Sequence, residues 1–193
     1  MKQIFLSILF SVMLVISGCS GLKETYNLKN CEYEYRSITN LKISNVDLSK
    51  GLTPLMIPVI LNILNGNATT IPMHFTLNVD VNNPNSGAAS FQELKYIINV
   101  DGVKFTEGNV TEPFFVEAGK SKVLSVDIDV DILDLVKENT RPVTENAILN
   151  FLGVSDTPSK VNLRLKPSFK VGKQTFSIPD YISVNFSFGG KSE

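Results

Sequence analysis

His74-Phe-Thr-Leu-Asn-Val-Asp-Val-Asn-Asn-Pro-Asn85, followed by Phe91-Gln-Glu-Leu-Lys-Tyr-Ile-Ile-Asn-Val-Asp-Gly-Val-Lys-Phe-Thr-Glu-Gly-Asn109, decides the fold. In the first run Phe75, Leu77, Val79 and Val81 alternate with Thr76, Asn78, Asp80 and Asn82. That period of two predicts a strand with one buried face. Asn83-Pro84-Asn85-Ser86-Gly87 stops it. A residue before proline is pushed into the extended region, and asparagine can bond its own backbone two residues on. In the second run Phe91, Leu94, Tyr96, Ile98 and Val100 predict another strand, with a bulge at Gln92-Glu93 that resets the alternation. Asp101-Gly102 predicts a two-residue hairpin turn with positive φ at both positions. Gly108, in the returning strand, reads as a bulge or turn.

Working outward, the same pattern recurs. Residues 32–48 predict a strand pair or one bent strand. Phe114-Phe115-Val116 is a short strand, Ala118-Gly119-Lys120 a turn, and Val123 to Val130 a longer strand. Val161, Leu163, Leu165, Phe169 and Val171 alternate again, interrupted by Pro167. Gly172-Lys173 turns the chain into Phe176–Ile178, and Ile182, Val184, Phe186 and Phe188 form the last strand. Two segments carry a helical period instead. Leu55, Met56, Val59, Ile60, Ile63 and Leu64 give one apolar face, so 52–64 is expected to cap an open end of the core. Residues 132–152 predict one or two short helices split near Arg141-Pro142. Many short strands with turn signals between them favour an antiparallel sandwich or barrel with short helical insertions.

The paired runs at 74–109 resemble the group 2 late embryogenesis abundant (LEA-2) or WHy domain. An alternating strand ending in Asn83-Pro84-Asn85, a Leu94-x-Tyr96 strand, Asp101-Gly102 and Gly108 carry that likeness. It implies an immunoglobulin- or fibronectin-III-like antiparallel β-sandwich. It also implies a binding or structural role linked to water stress, with no enzymatic activity.

The start of the chain speaks of an address. Lys2 is basic, Ile4 to Ile16 is an apolar run broken only by Ser7 and Ser11, and Ile16-Ser17-Gly18-Cys19 follows. The run is shorter than the roughly 20 residues of a membrane-spanning helix, so it reads as an export signal. It resembles a bacterial lipoprotein signal with its lipobox. That likeness implies lipidation at Cys19, a removed signal at 1–18 and a cell-envelope location, most naturally at the outer membrane. Residues 19–31 are then anchor and polar tether, and 32–190 a single domain. The membrane is a partner through the lipid. An envelope protein is a second partner to consider. The rival functional reading is a carrier of a lipid or other apolar ligand in a groove beside the 52–64 helix.

Composition limits the chemistry. Lys2 is the signal's one charged residue, so the mature chain has one basic residue fewer than the 18 of the whole against 19 acidic ones, a formal charge of −2. That gives no case for nucleic acid or for a polybasic membrane surface. With one histidine and two cysteines, no His/Cys metal cluster can be assembled, and no metal or other cofactor is expected. No catalytic residue is nominated: the single Cys31–His74 pairing has no local motif behind it. Acylation of Cys19 would leave Cys31 single, as a small buried apolar residue or a reactive thiol. A Cys19–Cys31 disulfide is the alternative if Cys19 carries no lipid. Asp127, Asp129 and Asp131 share one strand face, but i, i+2, i+4 positions span about 13 Å, too far to clamp one ion. The sequons at Asn67, Asn109 and Asn185 read as chance behind a bacterial anchor.

Overall fold

A computed structural model describes residues 21–190 except 52, 54, 57, 59–68 and 139–140. The signal, Cys19 and most of the 52–64 segment therefore lie outside the described residues. Eleven strands are described: β1 Glu32–Ile43, β2 Val46–Asp47, β3 Pro72–Asn82, β4 Ala89–Phe91, β5 Glu93–Val100, β6 Val103–Val110, β7 Phe114–Val116, β8 Ser121–Asp131, β9 Ser159–Val171, β10 Gln174–Ser177 and β11 Ile182–Phe188. Residues 21–27 form a helix, α1, continued by a 3₁₀ turn at Leu28–Asn30. Two further helices follow β8: α2 Ile132–Glu138 and α3 Arg141–Phe151.

The strands form two main antiparallel sheets, β2-β1-β3-β8 and β10-β9-β5-β6, with β11 also paired to β9. The fold is the expected immunoglobulin- or fibronectin-III-like antiparallel sandwich. Its core is built by alternation: Phe75, Leu77, Val79 and Val81 of β3 are buried, as are Leu94, Tyr96, Ile98 and Val100 of β5. Facing them across the layers are Val126 and Ile128 of β8 and Leu163 and Leu165 of β9. Phe151, at the end of α3, packs its ring against Phe75, Phe105 and Phe188 and closes one end of the sandwich.

Several local expectations meet the structure directly. The β5–β6 hairpin turns on Asp101 and Gly102, with φ of 50° and 85°. The 132–152 region forms two helices. Residues 32–48 form a long strand and a two-residue return.

Four details differ. Gln92 is not a bulge within one strand but the break between β4 and β5, where the chain changes partners from β7 to β6 and β9. Gly108 lies within β6 opposite Tyr96, and a β-carbon there would collide with the Tyr96 ring and hydroxyl. Its smallness makes room for a buried tyrosine rather than for a turn. Pro167 does not interrupt β9. On that edge β9 pairs with β11 up to Leu165 and with β10 from Ser168, so the missing proline N–H falls in the gap between partners. The Pro167 carbonyl accepts from Ile178 N at 3.2 Å in that same gap.

The fourth difference concerns the tether. Residues 21–30 are folded against the sandwich. Thr25 and Leu28 are fully or almost fully buried, while Leu22, Tyr26 and Lys29 form the outward stripe of the same helical surface. Asn27 Nδ2 donates to the Ala88 carbonyl at 2.7 Å, and Ser90 Oγ donates to Glu24 at 2.7 Å. Gly21 lies over Phe169 of β9. Polar composition suggested a free linker, but these polar groups bond the loop after β3 and strand β4 rather than water.

Candidate functional site

Asn83 is wholly buried at the end of β3. Its Nδ2 faces the carbonyl oxygens of Gly87, Val116 and Glu117 at 3.0, 3.2 and 3.0 Å. Its Oδ1 accepts from Asn85 Nδ2 at 2.7 Å, and its backbone N–H donates to Lys120 at 2.9 Å. Asn85 in turn donates to the Asn27 carbonyl at 3.0 Å. The Asn83-Pro84-Asn85 turn therefore fastens β3, the β7–β8 turn and α1 into one end of the domain. Asparagine supplies two donors and an acceptor in a compact group, which is what converging carbonyls need.

Cys31 completes this cluster. Its Sγ lies 3.5 Å from the Asn27 carbonyl oxygen and 3.7 Å from Asn83 Oδ1. Burial, reinforced by the Glu32 carboxylate, pushes the thiol up to about 11. A thiol held protonated is a poor nucleophile, so Cys31 has the packed rather than the reactive character. His74 is not its partner. The His74 Nδ1 sits 2.8 Å from Asp129, on the outer face of β3 and β8.

The three aspartates of β8 part company. Asp127 accepts from Thr76 Oγ1 at 2.6 Å and Asp129 meets His74. Asp131 accepts from the Ile71 and Leu133 backbone N–H groups, so it caps the start of α2. Around them the outer face of the first sheet is a bonded polar lattice. Ser125 donates to Asn78 at 2.7 Å, Asn78 donates to Thr39 at 3.0 Å, and Arg36 pairs with Asp80 at 2.9 Å.

The outer face of the second sheet has the opposite charge. Lys160, Asn162, Arg164 and Lys166 alternate with the buried Val161, Leu163 and Leu165 of β9. Lys95 lies directly opposite Lys166 in the register. Arg164 and Lys166 sit over the Tyr181 ring at 4.4 and 5.3 Å. Asn99, Asn162 and Asn185 form a row across β5, β9 and β11, with Asn162 Nδ2 donating to Asn185 Oδ1 at 2.8 Å. An open groove of about 620 Å³ runs along this row, bordered by Lys160 and Ser187. It offers amide donors and acceptors and one ammonium to a polar ligand. The segregation of charge by sheet is invisible to net charge, although the alternation in 160–166 carries it.

Among the described residues the space between the two sheets is filled, while an open pocket of about 220 Å³ bordered by Leu41, Leu48, Phe151 and Phe188 remains at the α3 end. Between the sheets a void of about 10 Å³ remains, lined by Phe75, Phe105, Phe151 and Phe188 among others, room for one water at most. A carrier groove beside the 52–64 helix falls outside the described residues, as does Cys19. Among the described residues no three His, Cys, Asp or Glu side chains converge as a metal site.

Comparison with known proteins adds the lineage. No curated protein matches the chain. Among solved structures it is similar to a protein from Archaeoglobus fulgidus, at 14% identity and TM-score 0.38, over 83% of this chain and 100% of that one. It is likewise similar to AT1g01470 from Arabidopsis thaliana, at 16% identity and TM-score 0.41, over 84% of each chain. A third is the late embryogenesis abundant (LEA) protein candidate At2g46140.1, at 14% identity and TM-score 0.39, over 95% of this chain and 86% of that one. The family model of the late embryogenesis abundant protein, LEA_2, matches residues 78–180, from mid-β3 through β10, which is more than half of the chain. The chain belongs to the LEA_2 late embryogenesis abundant protein family.

Proposed function

We propose that this LEA_2 sandwich is a non-enzymatic module of the bacterial cell envelope, held at the outer membrane by a lipid on Cys19. The observation that carries the reading is the run Ile4 to Cys19, basic at its start, apolar in its middle and closed by small residues and a cysteine. Signal removal would leave Cys19 two residues before α1, so the folded unit would begin almost at the anchor. The family supports a stress-related structural or binding role, and the polar groove along Asn99, Asn162 and Asn185 is a surface among the described residues that suits it. The filled space between the sheets and the protonated, buried Cys31 favour a surface that binds over a site that reacts.

Metabolic labelling with a clickable palmitate tests the anchor. The full chain is expected to take label and to fractionate with membranes. Cys19→Ala is expected to lose both. A Cys19→Ala protein that still labels would overturn the assignment.

A further inference from the structure

We infer that α1 and the β9–β10 hairpin form the surface that lies on the phospholipid bilayer, so that the sandwich is seated on the membrane rather than held away from it. The inference rests on the Cys19 lipid proposed above. Gly21 is two residues from Cys19, a reach of at most about 7 Å for extended backbone. The headgroup layer is of similar thickness, roughly 6 Å on each side of the hydrocarbon. Gly21 itself lies against the sandwich: a β-carbon placed there would stand 3.8 Å from the Phe169 ring. Whatever surrounds Gly21 is therefore brought to the headgroups.

What surrounds it suits that place. Phe169 stacks on Phe176 across the hairpin, with centroids 5.7 Å apart. Phe176 and Val171 are 44% and 43% exposed, and Leu22 and Tyr26 on α1 are 41% each. These are four of the eight large apolar side chains that stand out most among the described residues, and all belong to these two elements. Lys23 and Lys173 are exposed beside them. Aromatic and aliphatic groups flanked by lysine match the boundary between acyl chains and anionic headgroups. Asn27 and Glu24 bond α1 to Ala88 and Ser90, so a link of two residues to Cys19 leaves the domain little slack by which to turn this surface away.

The chain has no tryptophan, so one introduced tryptophan reports depth without background. Phe176→Trp places it in the surface. Val154→Trp places it beyond the start of β9, at the far end of that strand, on another exposed side chain. Acylated full-length protein would be reconstituted into phosphatidylethanolamine–phosphatidylglycerol vesicles carrying brominated lipid. Quenching at Phe176→Trp is expected to be at least two-fold, with little at Val154→Trp. Equal quenching of the two, in protein whose Cys19 carries lipid, would overturn the seating and leave the anchor intact. Protein without lipid on Cys19 would overturn the anchor and the seating together.

Discussion

Two neighbouring regions touch α1 and are built on opposite rules. At the Asn83 turn, polar side chains are buried and every bond is made inside the protein. At the β9–β10 hairpin, apolar side chains are left in the open. The first arrangement holds a fold together, because removing a buried amide leaves its carbonyl partners short of a donor, at about 1–3 kcal/mol for each one left unsatisfied. The second contributes little to folding and offers a surface to something else. Loss of residues at the turn should therefore fall on stability, and loss at the hairpin on membrane contact.

Substitution at Asn83 is the strongest way to break that contrast. Asn83→Ala takes the Nδ2 donor from the Gly87, Val116 and Glu117 carbonyls, of which Glu117 keeps another donor, the Lys120 N–H at 3.2 Å, so a loss of about 3 kcal/mol is expected. In a domain of this size that lowers the melting temperature by on the order of 10 °C. Calorimetry showing a shift under about 2 °C would mean the turn is not the fastening it looks like.

Docking of α1 comes next. Asn27→Ala removes the bond to the Ala88 carbonyl and is expected to cost about 1 kcal/mol. Hydrogen exchange should show protection lost across residues 21–30 with the sheets unchanged. Unaltered protection there would return the segment to the status of a linker.

Alkaline pH sharpens the same point. Cys31 and Tyr33 both ionise at higher pH folded than unfolded, through burial, Cys31 at about 11 and Tyr33 higher still. The unfolded chain thus releases these protons first. Stability is complete below about pH 9 and falls as pH rises toward 11. Cys31→Ala should flatten the fall. At pH 8 the native thiol should resist maleimide and react only on unfolding.

The smallest effect on stability is expected at the hairpin. Phe176→Ser or Val171→Ser should change unfolding free energy by within about 0.5 kcal/mol. A loss of several kcal/mol would show that these side chains serve the core after all.

The strands were legible because burial imposes a period of two, and β3 and β5 obey it residue by residue. Asp101-Gly102 was legible because few residues accept positive φ at two successive positions. Pro167 and Gly108 depart from their sequence-based expectations for a common reason. Each is a local signal whose meaning depends on a distant neighbour, the change of partner beside β9 in one case and the Tyr96 ring in the other. Residues 21–30 misled because polar composition cannot say whether the bonds go to water or to Ala88 and Ser90. Of the candidate site, the basic row at 160–166 was written in the alternation. Its opposition to the acidic face of β8 needed the pairing of the sheets.

The lipid on Cys19 is the claim on which the address depends, and intact mass of the protein purified from bacterial membranes tests it most directly. The expected mass is that of the chain without residues 1–18 plus a diacylglycerol on Cys19, with or without a further acyl chain. The mass of the chain with residues 1–18 still attached, or of a processed chain with an unmodified Cys19, would contradict it.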